Sequence, residues 1–257
     1  MDESGYIYGR RAVLEVLRSA PGRVNKLFIA EGSRGRTTDE IRELARHSRV
    51  VTKFLPRHAL ERLAPGAAHQ GVVASVSPVA YADAEELMSP VHKGKPTLIV
   101  MLDEITDPQN FGAILRTVEA VGAAGVIIPR HRSVGLSPVV AKHSAGASEY
   151  VSVARAGNLA MLVDQLKDNG VQVVATSGDA ETSIYEVDFT LPTAVVVGSE
   201  GAGVRQIIRR KCSVTARIPM LGKIASLNAS AAAAVVLYEA LRQRTGAETR
   251  SITTNPP

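Results

Sequence analysis

Cysteine is almost missing from this chain. One residue, Cys212, cannot form an intramolecular disulfide and excludes any cysteine-based metal cluster. No unbroken apolar run is long enough to span a bilayer. The opening MDESGYIYGRR carries none of the apolar stretch a secretory signal needs. Together these absences lead us to expect a cytoplasmic protein with no membrane association and no metal. Nucleotide fingerprints are missing as well. Gly198 to Gly203 has the spacing of a phosphate-binding Walker loop, but Val204 stands where that loop requires lysine. Gly201-Ala-Gly203 lacks the third glycine of a dinucleotide-binding turn.

What is present is a chain of 257 residues, 45% hydrophobic, long enough for two modest domains with separate cores. The formal charge is +5, and its placement says more than its size. Residues 1–80 hold 13 Lys and Arg against 8 Asp and Glu, whereas residues 81–257 hold 17 of each. A basic module joined to a neutral one favours a nucleic-acid partner, because neutralising phosphates drives much of that affinity.

Residues 1–78 read as a small α/β unit. Val13, Leu14 and Leu17 share one face of a helix over 11–18. A strand at 26–30, a polar Arg-rich loop at 31–38, a helix at 39–47, a strand at 50–54, a short helix after Pro56 and a strand at 71–76 complete it. Residues 79–96 read as a linker. In residues 97–245, apolar runs at 98–102, 125–128, 171–175, 194–197 and 214–218 alternate with amphipathic segments, and a long helix is expected over 229–244. This alternation predicts a parallel sheet covered by helices. The polar stretch 246–257 is expected to be a disordered tail.

In an open parallel sheet, ligands gather beyond the carboxyl ends of the strands, which singles out three segments. In Asp107-Pro-Gln-Asn-Phe-Gly…Arg116, Asn110 is either a helix cap or a site residue, and Arg116 lies six positions on. In Gly198-Ser-Glu-Gly201, Glu200 sits in a turn of tight backbone geometry, either as a site residue or as a favourable charge at a helix start. In Ile218-Pro-Met…Ser226-Leu-Asn228, an irregular loop re-enters a helix through Ser226 or Asn228.

As an ordered set, these three segments resemble the SpoU–TrmH branch of the SPOUT methyltransferases. Tyr8-Gly-Arg-Arg-Ala-Val-Leu-Glu and His69-Gln-Gly-Val are similar to the RNA-binding domain of that branch's rRNA-modifying members. Among them, the chain is most similar to the bacterial 23S rRNA guanosine 2′-O-methyltransferases. The resemblance implies an α/β fold: a C-terminal parallel-sheet domain with a trefoil knot, preceded by a small RNA-binding domain. It implies S-adenosylmethionine held by Gly198, Ile218 and Leu227, and a reaction centre of Asn110, Arg116, Glu200, Ser226 and Asn228. It also implies a homodimer formed through the C-terminal domain, acting on RNA. The loop Leu221-Gly-Lys-Ile-Ala225 departs from the more polar family pattern and makes Lys223 a candidate for touching RNA phosphate. The early aromatics are only Tyr6, Tyr8, Phe28 and Phe54, so Arg34 and Arg36 are better candidates for gripping RNA than base stacking is. The rival readings are methylation of tRNA, methylation of an rRNA adenosine, and a non-catalytic RNA-binding or ribosome-assembly role.

Overall fold

The structure is a computed structural model that describes residues 5–92, 97–224 and 226–253. Two compact units form. One takes the chain up to Ala80 together with Phe111–Arg116 and Gly135–Tyr150, and the other takes the rest.

The first unit contains β1 (Gly5–Tyr8), α1 (Arg10–Ser19), β2 (Val24–Ala30), α2 (Arg36–His47), β3 (Thr52–Leu55), α3 (Arg57–Leu63) and β4 (Val72–Val76). Its sheet runs β1-β4-β2-β3, with β4 antiparallel to β1 and β2, and β3 parallel to β2. Val13, Leu14 and Leu17 of α1 are buried against this sheet, as the periodicity predicts. β1 has no counterpart in the sequence reading. α2 begins at Arg36, earlier than expected, because Gly35 takes a φ of 121° that turns the chain into the helix. A later segment, α6 (Pro138–His143), packs here too, and its Ala141 joins the core formed by Ile7 and Leu27.

The second unit begins with α4 (Ala84–His92), inside the stretch read as linker. Leu87 and Met88 are buried in its core, which explains why that stretch is ordered as a helix. Of the rest of the linker, residues 93–96 lie outside the described residues. Then come β5 (Leu98–Asp103), α5 (Pro108–Ala120), β6 (Gly125–Pro129), β7 (Val153–Ala156), α7 (Leu159–Asp168), β8 (Gln172–Thr176), β9 (Thr182–Ser183), β10 (Thr193–Gly198), α8 (Gln206–Arg209), β11 (Val214–Arg217) and α9 (Ala229–Thr253). The seven strands are ordered β7-β6-β5-β10-β8-β11-β9, and every pairing is parallel. β5 and β10, at the centre, are buried at every residue, as strands covered on both faces must be. α9 continues through Gly246 to Thr253, where a disordered tail is expected from composition. One glycine weakens a helix by only about 1 kcal/mol. Residues 254–257 lie outside the description. Among the described residues, no helix is long and apolar enough to cross a membrane.

Connections run outward from β5 towards β7 on one side and through β10 on the other. The sheet therefore has a topological switch point between β5 and β10, where open parallel sheets open a crevice.

Candidate active site

A cavity of about 340 Å³ lies at the carboxyl ends of β8, β10 and β11. The loop after β8 contributes Ser177 and Asp179, the loop after β10 contributes Gly198 to Gly203, and the loop after β11 contributes Ile218, Met220, Ser226 and Leu227. Gly198 is demanded by packing. A Cβ there would lie 2.0 Å from the Gly203 carbonyl carbon and 2.2 Å from the Val204 nitrogen. The loop therefore folds back onto the end of its own strand, and the Gly203 amide donates to the Ser199 carbonyl at 2.9 Å.

A buried carboxylate anchors the far end of that loop. Asp103 closes β5 with no solvent exposure. Its Oδ1 accepts from Arg205 Nε at 2.8 Å, and its Oδ2 accepts from the Arg205 backbone amide at 2.8 Å. The Asp103 carboxylate holds the Arg205 guanidinium above its ordinary pKa. Glu104, the next residue, also faces Arg205, at 3.5 Å.

On the cavity's rim, three side chains from distant parts of the sequence form one cluster. Asn110 Nδ2 donates to Glu200 Oε1 at 2.9 Å. Asn228 Nδ2 donates to Asn110 Oδ1 at 2.8 Å and also to Glu200 Oε1. Asn228 has a second task at the start of α9, where its Oδ1 accepts from the Ser230 amide at 3.0 Å and the Ala231 amide at 3.3 Å. Asn110 is not the cap of α5. Asp107 takes that position, accepting from the Gln109 amide at 3.0 Å, and Asn110 is free to point across to Glu200.

Family comparison fits this geometry. The SpoU rRNA Methylase family matches residues 97–238, and the RNA 2′-O ribose methyltransferase substrate-binding family matches residues 6–82. The chain belongs to the SpoU/TrmH family of RNA 2′-O-methyltransferases. Bacillus subtilis YacO, provisionally named a TrmH family tRNA/rRNA methyltransferase, is 40% identical over 93% of this chain and 96% of its own length. The 23S rRNA (guanosine-2′-O-)-methyltransferase RlmB of Pseudomonas syringae is 40% identical over 95% and 98%. The SpoU methyltransferase AviRb of Streptomyces viridochromogenes, in complex with the cofactor AdoMet, superposes with a TM-score of 0.78 at 28% identity, covering 95% of this chain and 91% of that one. The TrmH/SpoU tRNA modifying enzyme of A. aeolicus, 31% identical with a TM-score of 0.55, covers 65% of this chain and 86% of that chain.

This SpoU/TrmH enzyme therefore uses S-adenosylmethionine, and its cavity suits that group. Ile218, Met220 and Leu227 offer apolar walls to a flat ring, while the backbone at Gly198 approaches without a side chain in the way. Ser177 and Asp179 supply polar groups, and both are held by Arg209, whose Nη1 reaches Asp179 Oδ1 at 2.7 Å and Ser177 Oγ at 2.8 Å. The Ser177 hydroxyl and then Arg209 keep the Asp179 carboxyl below its usual range.

Of the residues expected from sequence, Gly198, Ile218, Leu227, Glu200 and Ser226 line this cavity, and Asn110 and Asn228 join it through Glu200. Arg116 is not brought into the cluster. It lies on α5, well beyond Asn110, exposed, with no hydrogen-bond or ion-pair partner among the described residues. Lys223 is exposed in the loop before Ser226, and Ala225 lies outside the described residues. In the first unit Arg34 and Arg36 are exposed. Nearby chain segments also form a groove of about 400 Å³ lined by Arg10, Arg11, Thr37, Arg57 and Gln70. The sequence reading missed Asp103, Arg205, Asp179 and Arg209. A carboxylate ending an apolar strand is the one signal that points to Asp103.

Proposed function

We propose that this enzyme methylates the ribose 2′-hydroxyl of a guanosine in 23S rRNA, acting in the cytoplasm as a homodimer whose C-terminal domain carries the trefoil knot expected of the family. The observation that carries the reading is the Asn110–Glu200–Asn228 cluster on the rim of the cofactor cavity. It supplies fixed amide and carboxylate groups where a ribose can be oriented. S-adenosylmethionine, when bound, supplies a methyl group already activated for transfer.

The protein's remaining tasks are orientation and removal of one proton. Glu200 fixes Asn110 and Asn228, and its second oxygen has no partner among the described residues. Ser226 and Asn228 are suited to hydrogen-bonding the ribose or the cofactor. A guanidinium is a poor general base in proteins, so the role of Arg116 is electrostatic. Its positive charge lowers the pKa of the ribose hydroxyl, and the proton leaves to an RNA phosphate. Arg116 has no partner among the described residues of its own chain, and dimerisation provides a reason: a second copy completes the centre. The exposed side chains Leu221, Ile224 and Tyr238 near the cavity loops and on α9 supply apolar surface for that contact.

Support for rRNA over tRNA comes from the first unit. Its excess of positive charge and its arginine-lined groove suit an RNA backbone. The similar tRNA modifying enzyme of A. aeolicus covers only 65% of this chain.

The test is incubation with labelled S-adenosylmethionine and unmodified total RNA, followed by mass spectrometric mapping. Label as 2′-O-methylguanosine in 23S rRNA, lost in Arg116→Ala, is the expected result. Label confined to tRNA would overturn the substrate.

A further inference from the structure

A second cavity, of about 630 Å³, opens at the other side of the parallel sheet, beyond β6 and β7. Tyr81, Asp83, Arg130, His131 and Arg155 line it. Neither the cofactor nor the rim cluster uses any of these residues.

Arg155 lies on β7, the outermost strand, and is the one exposed side chain of that strand. A charge on an edge strand discourages pairing with another sheet, but that purpose needs no fixed position. Here the guanidinium is fixed. Its carbon lies 4.0 Å over the Tyr81 ring, and Nη2 donates to the Tyr81 hydroxyl oxygen at 2.8 Å. The ring is itself held in place, because Ala82 bridges Ala154 and the Ala82 amide donates to the Val153 carbonyl at 2.9 Å. Among the described residues, no carboxylate pairs with Arg155 or Arg130. Asp83, the acid on the wall, is occupied in accepting from the Glu85 amide at 3.2 Å.

The loop that presents Arg130 and His131 is equally fixed. The Arg130 amide donates to the Ala156 carbonyl at 2.9 Å, Ser133 Oγ to the Pro129 carbonyl at 2.7 Å, and the Val134 amide to the Ile105 carbonyl at 2.9 Å. Arg132 adopts a φ of 58°, an unusual conformation for a residue with a side chain. Its guanidinium faces Glu104 at 3.4 Å, the same carboxylate that faces Arg205 at 3.5 Å. The loop after β6 is thereby tied to the loop that closes the cofactor cavity.

From these observations we infer that the β6–β7 edge is a phosphate-binding subsite for the RNA strand flanking the target ribose, with Arg155 and Arg130 as its ligands. A preset, unneutralised guanidinium is what a phosphate oxygen pair selects. β6 and β7 lie two and three interstrand spacings from β10, so the subsite is displaced from the β10 loop by roughly 10–14 Å. A strand of RNA with its ribose at Glu200 reaches that far within a few nucleotides. This inference rests on the proposal that RNA is the substrate.

The test is filter binding of the full-length protein to transcribed 23S rRNA between about 50 and 200 mM salt. Arg130→Ala and Arg155→Ala are compared with wild type, alongside calorimetric S-adenosylmethionine binding. Each substitution is expected to lower the slope of log affinity against log salt by about 0.7, the value for one phosphate contact to a single strand. Cofactor affinity is expected to stay unchanged. Among the described residues Arg130 has no side-chain partner, so its replacement is expected to leave folding stability close to that of wild type. Arg155→Lys is expected to keep the slope and lose part of the affinity. Unchanged slopes in both alanine variants, with wild type binding RNA, would overturn the subsite and leave the methyltransferase reading intact. No RNA binding by wild type would overturn both.

Discussion

Asp103 and Arg205 are joined by the guanidinium and by the Arg205 backbone amide, each at 2.8 Å, so one carboxylate fixes both the side chain and the chain path after the loop that follows β10. Asp103 is fully buried, and Arg205→Ala strips it of its counter-charge. Removing one partner of a fully buried pair costs about 3–5 kcal/mol. Because the Arg205 side chain is 38% exposed, solvent screens the pair, and we expect a loss of about 2 kcal/mol. Chemical denaturation measures that loss, and calorimetry is expected to show weaker S-adenosylmethionine binding in the same variant.

Gly198→Ala adds one methyl group against backbone atoms 2.0 and 2.2 Å away. Backbone cannot yield as a flexible side chain can, so the loop from Ser199 to Gly203 must move. We expect at least a tenfold loss of cofactor affinity by calorimetry. Affinity at the wild-type level would show that the loop is not the cofactor's cradle.

Asn228 serves the rim cluster with its amide nitrogen and caps α9 with its amide oxygen. Asn228→Asp retains a capping oxygen and removes the donor, setting a carboxylate beside Glu200. Asn228→Ala removes both and is expected to cost about 1 kcal/mol more through the lost cap. In a double-mutant cycle on methylation rate, Asn110→Ala and Asn228→Ala are expected to be strongly non-additive, because each removes the bond the two amides share and one of the two amide donors that hold Glu200. Additive losses would show that the two amides act separately.

Arg116→Ala is expected to separate activity from stability. An exposed side chain without partners among the described residues contributes within about 0.5 kcal/mol to folding. Its melting temperature should match wild type while methyl transfer falls by orders of magnitude. Retained activity would remove Arg116 from the reaction centre.

Cys212 gives an independent check on the core. Burial pushes its thiol up to about 11, and the sulfur donates to the Ile208 carbonyl at 3.3 Å. At pH 8 about one thiol in a thousand is ionised. Reaction with a thiol reagent is expected to be slow in the folded enzyme and fast once it is unfolded in denaturant. Rapid labelling of the native enzyme would contradict this packing.

Much of the second unit was legible because its central strands are nearly pure apolar runs. Val195 to Val197 and Ile99 to Met101 leave little choice but strands buried on both faces. The edge strand β7 escaped notice because it is four residues long and Arg155 interrupts its apolar pattern. β1 is as short. The helix inside residues 79–96 was hidden by Pro90 and polar neighbours, although Leu87 and Met88 anchor it. At the site, Asn110, Glu200 and Asn228 were readable as loop residues after strands, but their mutual bonds depend on strand order. Nothing in linear sequence places β10 beside β5. The role of Asp103 was hidden for the same reason, since its partner lies 102 positions further along the chain.

That late pairing has a consequence for how the protein is made. β5 pairs with β6 on one side, and its other edge waits for β10, from Leu98 opposite Thr193 to Asp103 opposite Gly198. While the ribosome adds the intervening residues, a six-residue, almost wholly apolar strand edge stays unpaired, the kind of surface on which incomplete chains associate. Synthesis must therefore pass residue 198 before the nascent chain can close its sheet, and residue 228 before it can complete the rim cluster.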